Sequence, residues 1–261
     1  MFGTNEIIGK KYFKEVKENT LMVTSMFFTL QGEGPYAGMP ALFIRLAKCN
    51  LDCSFCDTFF DDGDTLTYAE LETKAYETIR DFWVSKGKDV PEWACRGRND
   101  YPGVVLVMTG GEPLLQDNIT GWMQRQLNHY KAVQVESNGI PDTVVPEGVT
   151  LVCSPKCLEK NGRAVKYLAP SKTILDRADC LKFVVSADPD SPYNTVPDWA
   201  FEWKRNNPNK EVYCSPMNVY NSFPQRIKLL RAEKGQITMA ERSTVDEVIS
   251  FWEPGLLNLA A

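Results

Sequence analysis

Cys49, Cys53 and Cys56 place three thiols within eight residues at C-x-x-x-C-x-x-C spacing. Thiolates set this closely point to a metal centre. A structural zinc site takes four protein ligands, commonly as two pairs, and neither a second C-x-x-C nor a histidine pair stands elsewhere in the chain. The single histidine, His129, falls late in a helical stretch and reads as a helix-end side chain. Three cysteines with a fourth position open suit an iron–sulfur cluster in which one iron binds something other than protein. Such an iron can chelate the amino and carboxylate groups of S-adenosylmethionine (SAM), and an electron from the cluster then cleaves the sulfonium to a 5'-deoxyadenosyl radical. Cys95, Cys153, Cys157, Cys180 and Cys214 are scattered. Cys153 and Cys180 lie at or beside apolar runs and read as small core residues, while Cys153 and Cys157 supply only two ligands toward any second cluster.

Several elements must bring other side chains to this loop. Apolar runs rich in β-branched residues at 21–30, 104–108, 132–135, 149–152, 181–185 and 211–213 are six candidate strands, and 41–46 is strand-like just before the cysteines. Helical spacing occupies 68–84, opened by Thr67 and Glu70 in capping-box register, and 118–130 after Asp117 as N-cap. This alternation predicts a parallel sheet with crossover helices. Four candidate strands end in small or polar clusters: Thr109-Gly110-Gly111-Glu112-Pro113, Glu136-Ser137-Asn138-Gly139, Ser154-Pro155-Lys156 and Ser215-Pro216-Met217. One such cluster alone would be turn chemistry; four at the same end of a parallel α/β barrel would face one pocket.

Composition narrows the function classes. Lys plus Arg number 29 and Asp plus Glu 34, a formal charge of −5, so no basic field attracts nucleic acid. No apolar run approaches the ~18 residues of a membrane span, and the N-terminus lacks the pattern of a signal peptide. A cytoplasmic protein is expected, with its eight cysteines reduced. Residues 1–20 are charged and weakly periodic and read as an extension, leaving 21–261 as one domain; the polar stretch 86–102 reads as a long loop of no evident role.

The cysteine spacing, the aromatic Phe55 before the last cysteine and the Gly-Gly-Glu-Pro strand end resemble the radical SAM superfamily. Further motifs narrow the resemblance: Leu30-Gln31-Gly32-Glu33-Gly34, Asp57-Thr58 after the triad, Glu136-Ser137-Asn138-Gly139, Ser154-Pro155-Lys156 and Leu181-Lys182-Phe183-Val184-Val185. In this order, over about 21–217, they resemble the 7-carboxy-7-deazaguanine synthase family. The resemblance implies a partial (β/α)6 barrel, a [4Fe-4S] cluster on Cys49, Cys53 and Cys56, and Mg2+ at Thr58. It implies that 6-carboxy-5,6,7,8-tetrahydropterin is contracted to 7-carboxy-7-deazaguanine with loss of ammonia, after hydrogen abstraction from C6.

Residue by residue, the resemblance assigns Glu33 and Arg45 to the pterin, with Gln31 in the same loop. A carboxylate can accept from the N–H edge of a 2-aminopyrimidinone, and a guanidinium offers a planar fork. It assigns Thr109, Gly110, Gly111 and Glu112 to the methionyl amino group of SAM, and Asn138, Ser154, Lys156 and Ser215 to the cofactor lining. A homodimer and a flavodoxin-like electron donor are also implied. Ser137 and Ser215 replace the family's usual Thr and Gln, and the C-terminal Gln-x-His-Lys element is absent, so the 21–261 domain is expected to lack it. Two other readings share some features. A glycyl-radical activase has the same cysteine spacing but no need of Gln31, Glu33, Arg45 and Thr58; a non-catalytic iron–sulfur carrier or zinc-stabilised module has no need of the Gly-Gly-Glu-Pro strand end.

Overall fold

The computed structural model describes residues 17–56, 58–160 and 162–217. The described residues all belong to the first of two units into which the chain divides, residues 2–217. The expected C-terminal difference, most of the N-terminal extension and Asp57 therefore lie outside the described residues.

Ten strands and four α-helices follow one another along the first unit: β1 (Thr20–Leu30), β2 (Pro40–Leu46), β3 (Asp64–Thr67), α1 (Tyr68–Val84), β4 (Tyr101–Gly110), α2 (Ile119–Gln126), β5 (Tyr130–Ser137), β6 (Val149–Cys153), β7 (Cys157–Lys160), β8 (Arg163–Tyr167), α3 (Lys172–Arg177), β9 (Cys180–Val185), α4 (Asp198–Asn206) and β10 (Glu211–Pro216). Eight strands form one sheet in the order β10-β9-β6-β5-β4-β2-β1-β3. From β10 to β2 every pairing is parallel. The mixed α/β class with a mostly parallel sheet thus agrees with the sequence reading.

Membership of the parallel set differs from that reading. The run at 21–30 is antiparallel to β2, and the 41–46 segment is the sixth parallel strand. Only residues 31–39 join β1 to β2, and a parallel return needs a crossover of a dozen or more residues. The second helix is also shorter than expected. Its N-cap is Asn118, which makes no side-chain cap bond; instead the Asn118 amide donates to the carbonyls of Lys17 and Thr20. The capping box on α1 forms as read, with Thr67 N–H donating to Glu70 at 2.7 Å and Glu70 N–H to Thr67 Oγ1 at 3.2 Å.

Strand alternation gives the sheet two faces. One carries Leu42, Ile44, Leu106, Met108, Val133, Val135, Leu151, Leu181 and Phe183, fully buried together with Leu71, Ile79 and Trp122 of the helices. The other begins as a small apolar cluster, Ala41, Val105 and Val107, flanked by Tyr36, Met39 and Phe43. Toward the C-terminal ends of the strands that second face turns polar: Arg45, Thr109, Gln134, Glu136 and Lys182 continue the same alternation. Gln116 fixes the sheet's entrance to the cysteine loop, taking Met22 N–H on its carbonyl and donating to the Met22 and Ala47 carbonyls.

β7 and β8 make a separate antiparallel hairpin. Nothing in the strand reading anticipated it.

Candidate functional site

The C-terminal ends of β2, β4, β5 and β6 are stitched to one another by their own polar groups. Beyond β2 the chain turns through Lys48, which holds a left-handed φ of 74°, into Cys49. The β4 turn lies directly on this segment: Gly111 N–H donates to Leu46 O and Glu112 N–H to Lys48 O, both at 2.8 Å. A Cβ on Gly110 would stand 2.3 Å from Leu46 N, and one on Gly111 would stand 1.9 Å from Lys48 O. The two glycines are therefore needed for backbone approach, and the backbone that approaches is the chain's own entry to the cysteine loop.

Glu112 is buried and spans two strand ends. Its carboxylate accepts from Leu114 N–H at 3.0 Å, Ser137 Oγ at 2.8 Å and Asn138 N–H at 2.7 Å. Burial pushes its pKa up to about 7 in spite of these three donors. A carboxylate has about four lone-pair sites, so one further donor can still be received. The Asn138 amide donates onward to Asn50 Oδ1 at 2.7 Å, which ties the end of β5 to the cysteine loop. Ser154 N–H donates to Ser137 O at 2.7 Å, and Lys156 Nζ reaches both Ser154 O and Ser154 Oγ at 2.7 Å. Desolvation lowers the pKa of Lys156.

The residues assigned to a pterin also converge. Gln31 is buried in the loop after β1; its carbonyl takes Glu33 N–H at 3.3 Å and its amide donates to Glu136 at 3.2 Å. Lys182 Nζ lies between Glu33 Oε2 at 2.9 Å and Glu136 Oε2 at 2.6 Å, with side-chain exposures of 8% for the lysine, 44% for Glu33 and 14% for Glu136. Burial alone would raise the Glu33 pKa, but Lys182, with hydrogen bonds from Lys182 and Ser215, brings it below the usual carboxylate range. Desolvation disfavours the Lys182 cation, yet the two carboxylates outweigh it and raise its pKa. Arg45 pairs in register with Thr109 on the adjacent strand, and its guanidinium lies 5.3 Å from the centre of the Phe27 ring.

Ser215, which the resemblance assigns to the cofactor lining, also bonds to Glu33. Glu136 and Lys182 were read only as parts of motifs, not as site residues. A signal for Lys182 was nevertheless present, since a lysine inside an otherwise apolar strand is rarely buried unless paired.

Among the described residues no three His, Cys, Asp or Glu side chains converge tightly enough for a single metal ion. Cys49 is buried and Cys53 and Cys56 are partly so; Cys49 feels the charge of both other thiols and Cys53 that of Cys56. A cluster binds each thiolate through a different iron, so three separated thiols on one loop, with no fourth ligand among the described residues, fit a [4Fe-4S] group better than one ion. Thr58 is buried beside them, its carbonyl 3.4 Å from Cys56 Sγ. One hydroxyl fits Mg2+, which keeps most of its water and substrate oxygens as ligands.

No family model matches the chain. A 7-carboxy-7-deazaguanine synthase of Rickettsia prowazekii is 32% identical over 239 residues, covering 92% of this chain and 87% of that protein. The chain belongs to the 7-carboxy-7-deazaguanine synthase family. A family member from Rhodospirillum rubrum is 32% identical over 201 residues, 76% of this chain and 71% of its own. The crystal structure of QueE from Escherichia coli superposes with a TM-score of 0.51 at 20% identity, covering 87% of this chain and 96% of that one, a likeness of fold. Membership of the 7-carboxy-7-deazaguanine synthase family makes the chain a radical SAM lyase, and replaces the activase, electron-carrier and zinc-module readings. No helix among the described residues is long and apolar enough to cross a membrane.

Proposed function

We propose that the chain contracts 6-carboxy-5,6,7,8-tetrahydropterin to 7-carboxy-7-deazaguanine, with loss of ammonia, at the C-terminal edge of its parallel strands. One observation carries the assignment of residues. The ammonium of Lys182 joins Glu33 to Glu136 on the sheet face that also bears Arg45 and Thr109, at the end where β2 runs into the cysteine loop.

Each group then has a task set by its chemistry. Glu33, kept ionised by Lys182, accepts the N–H edge of the aminopyrimidinone; Arg45 meets a carboxylate or ring carbonyl with its planar fork; Gln31 holds the Glu33 backbone and lends polarity to the pocket wall. Cys49, Cys53 and Cys56 hold the [4Fe-4S] cluster, and Thr58 contacts Mg2+. Thr109, Gly110, Gly111 and Glu112, with Asn138, Ser154, Lys156 and Ser215, line the site of SAM, Ser215 also reaching Glu33. When bound, the cluster and SAM supply the 5'-deoxyadenosyl radical. The protein's own work is to fix C6 of the pterin within reach of the 5' carbon and to keep water away.

The same reading takes the six parallel strands as a partial (β/α)6 barrel and residues 21–261 as its domain, behind an extension at 1–20. It takes the enzyme as a cytoplasmic homodimer reduced by a flavodoxin-like donor.

Turnover tests it. Protein reconstituted anaerobically and given dithionite, SAM, Mg2+ and the pterin should release 7-carboxy-7-deazaguanine, and Cys53→Ala should release none. Deoxyadenosine without the deazaguanine would keep the radical chemistry and discard the pterin.

A further inference from the structure

We propose that Glu159 tunes the reduction potential of the cluster on Cys49, Cys53 and Cys56, acting through the loop that carries them; this rests on the cluster assignment above. Glu159 sits on β7, in the hairpin that stands apart from the main sheet. Its Oε2 accepts Ser54 N–H at 2.8 Å, and the Ser54 side chain bonds to the same carboxylate. Ser54 lies between Cys53 and Cys56. The next residue is gripped as well. The Phe55 ring meets Tyr193 edge-on at 5.1 Å, the Tyr193 hydroxyl accepts Cys157 N–H at 2.8 Å, and Tyr193 packs on Tyr167 of β8 at 5.5 Å. The hairpin and Tyr193 thus hold both residues that separate the last two ligands.

Cluster potentials follow net charge, hydrogen bonds to the sulfurs and solvent exposure. Glu159 acts on two of these in the same direction. It adds a negative charge beside the loop, and it commits the Ser54 N–H, which could otherwise donate to a cluster sulfur. Both make the reduced cluster a stronger reductant, as cleavage of a sulfonium requires. Lys156, at the opposite end of the same short segment, places its positive charge toward Cys53. The two side chains therefore bias the cluster in opposite senses, and Glu159 is a positioning and tuning residue rather than a ligand.

The test needs neither pterin nor turnover. Wild type, Glu159→Gln and Glu159→Ala are reconstituted, their iron and sulfide per chain measured, and their midpoint potentials read by electron paramagnetic resonance during a redox titration without SAM. Glu159→Gln keeps an acceptor for Ser54 and loses the charge, so it should hold wild-type iron at a more positive potential. Glu159→Ala should move further in that direction and lose iron faster to a chelator. Should Glu159→Ala fail to fold, Glu159→Gln decides alone, and a wild-type potential in Glu159→Gln overturns the proposal. A wild-type chain that takes up no iron overturns it together with the cluster assignment. A shifted potential in protein that never turns over the pterin supports it while sinking the substrate.

Discussion

Lys182 on β9 and Glu33 in the loop after β1, 149 residues apart in sequence, meet at 2.9 Å, and the same ammonium bridges to Glu136 on β5. A buried ammonium is stable only because two carboxylates flank it, and its charge in turn lowers the pKa of Glu33.

Removing the cation isolates this relationship. Lys182→Met should cost on the order of 3 kcal/mol of stability, mostly through the better shielded Glu136. It should also lower kcat/KM for the pterin by roughly a hundred-fold. SAM affinity, measured by calorimetry on the reconstituted protein, should stay within about two-fold, since Lys182 touches none of the residues assigned to the cofactor. Equal losses for pterin and SAM would point to general unfolding of the site.

Much of this site was legible because its patterns are local. The cysteine triad, the glycine pair and the capping box at Thr67 each declare themselves within a few residues. Long-range pairings do not. Glu136 closes a strand as an ordinary polar end, and only its approach to Lys182 gives it meaning. The antiparallel placement of β1 followed from the short 31–39 connection, a constraint stronger than the similarity of the apolar runs. For the β7–β8 hairpin the signal was present: Asn161-Gly162 is a two-residue hairpin turn sequence between 157–160 and 163–167, and Gly162 holds φ +70°.

Glu112 should make stability depend on pH. Its pKa is raised by burial from 4.5 to about 7, so the folded chain binds more protons than the unfolded chain between these values, and stability falls as pH rises through that window. The contribution is roughly 3 kcal/mol across it. Urea unfolding of the metal-free protein at pH 5 and pH 8 should show the decline, and Glu112→Gln should flatten it. Equal slopes in the two proteins would assign the dependence elsewhere.

Gly111→Ala should disrupt the seam between β4 and the cysteine loop, because its Cβ would collide with the Lys48 carbonyl. Overpacking against backbone costs about 1–3 kcal/mol or more. The variant should unfold at lower urea and retain less iron after reconstitution, whereas Gly32→Ala, which meets nothing within 4 Å, should match wild type in both.

Arg45→Lys keeps the charge and loses the planar fork. The pterin KM should rise at least ten-fold while deoxyadenosine formation without substrate stays at the wild-type rate. An unchanged KM would remove Arg45 from the pterin contacts.

The most direct measurement follows the hydrogen at C6. Pterin deuterated at C6 is turned over anaerobically, and the recovered SAM, 5'-deoxyadenosine and product are weighed by mass spectrometry. Loss of ammonia alone balances the conversion, so the hydrogen taken from C6 is returned, and if the strand ends place C6 against the 5' carbon, deuterium appears at the 5' carbon of recovered SAM and of any 5'-deoxyadenosine formed from the pterin. Formation of 7-carboxy-7-deazaguanine with both SAM and 5'-deoxyadenosine free of deuterium would contradict that placement.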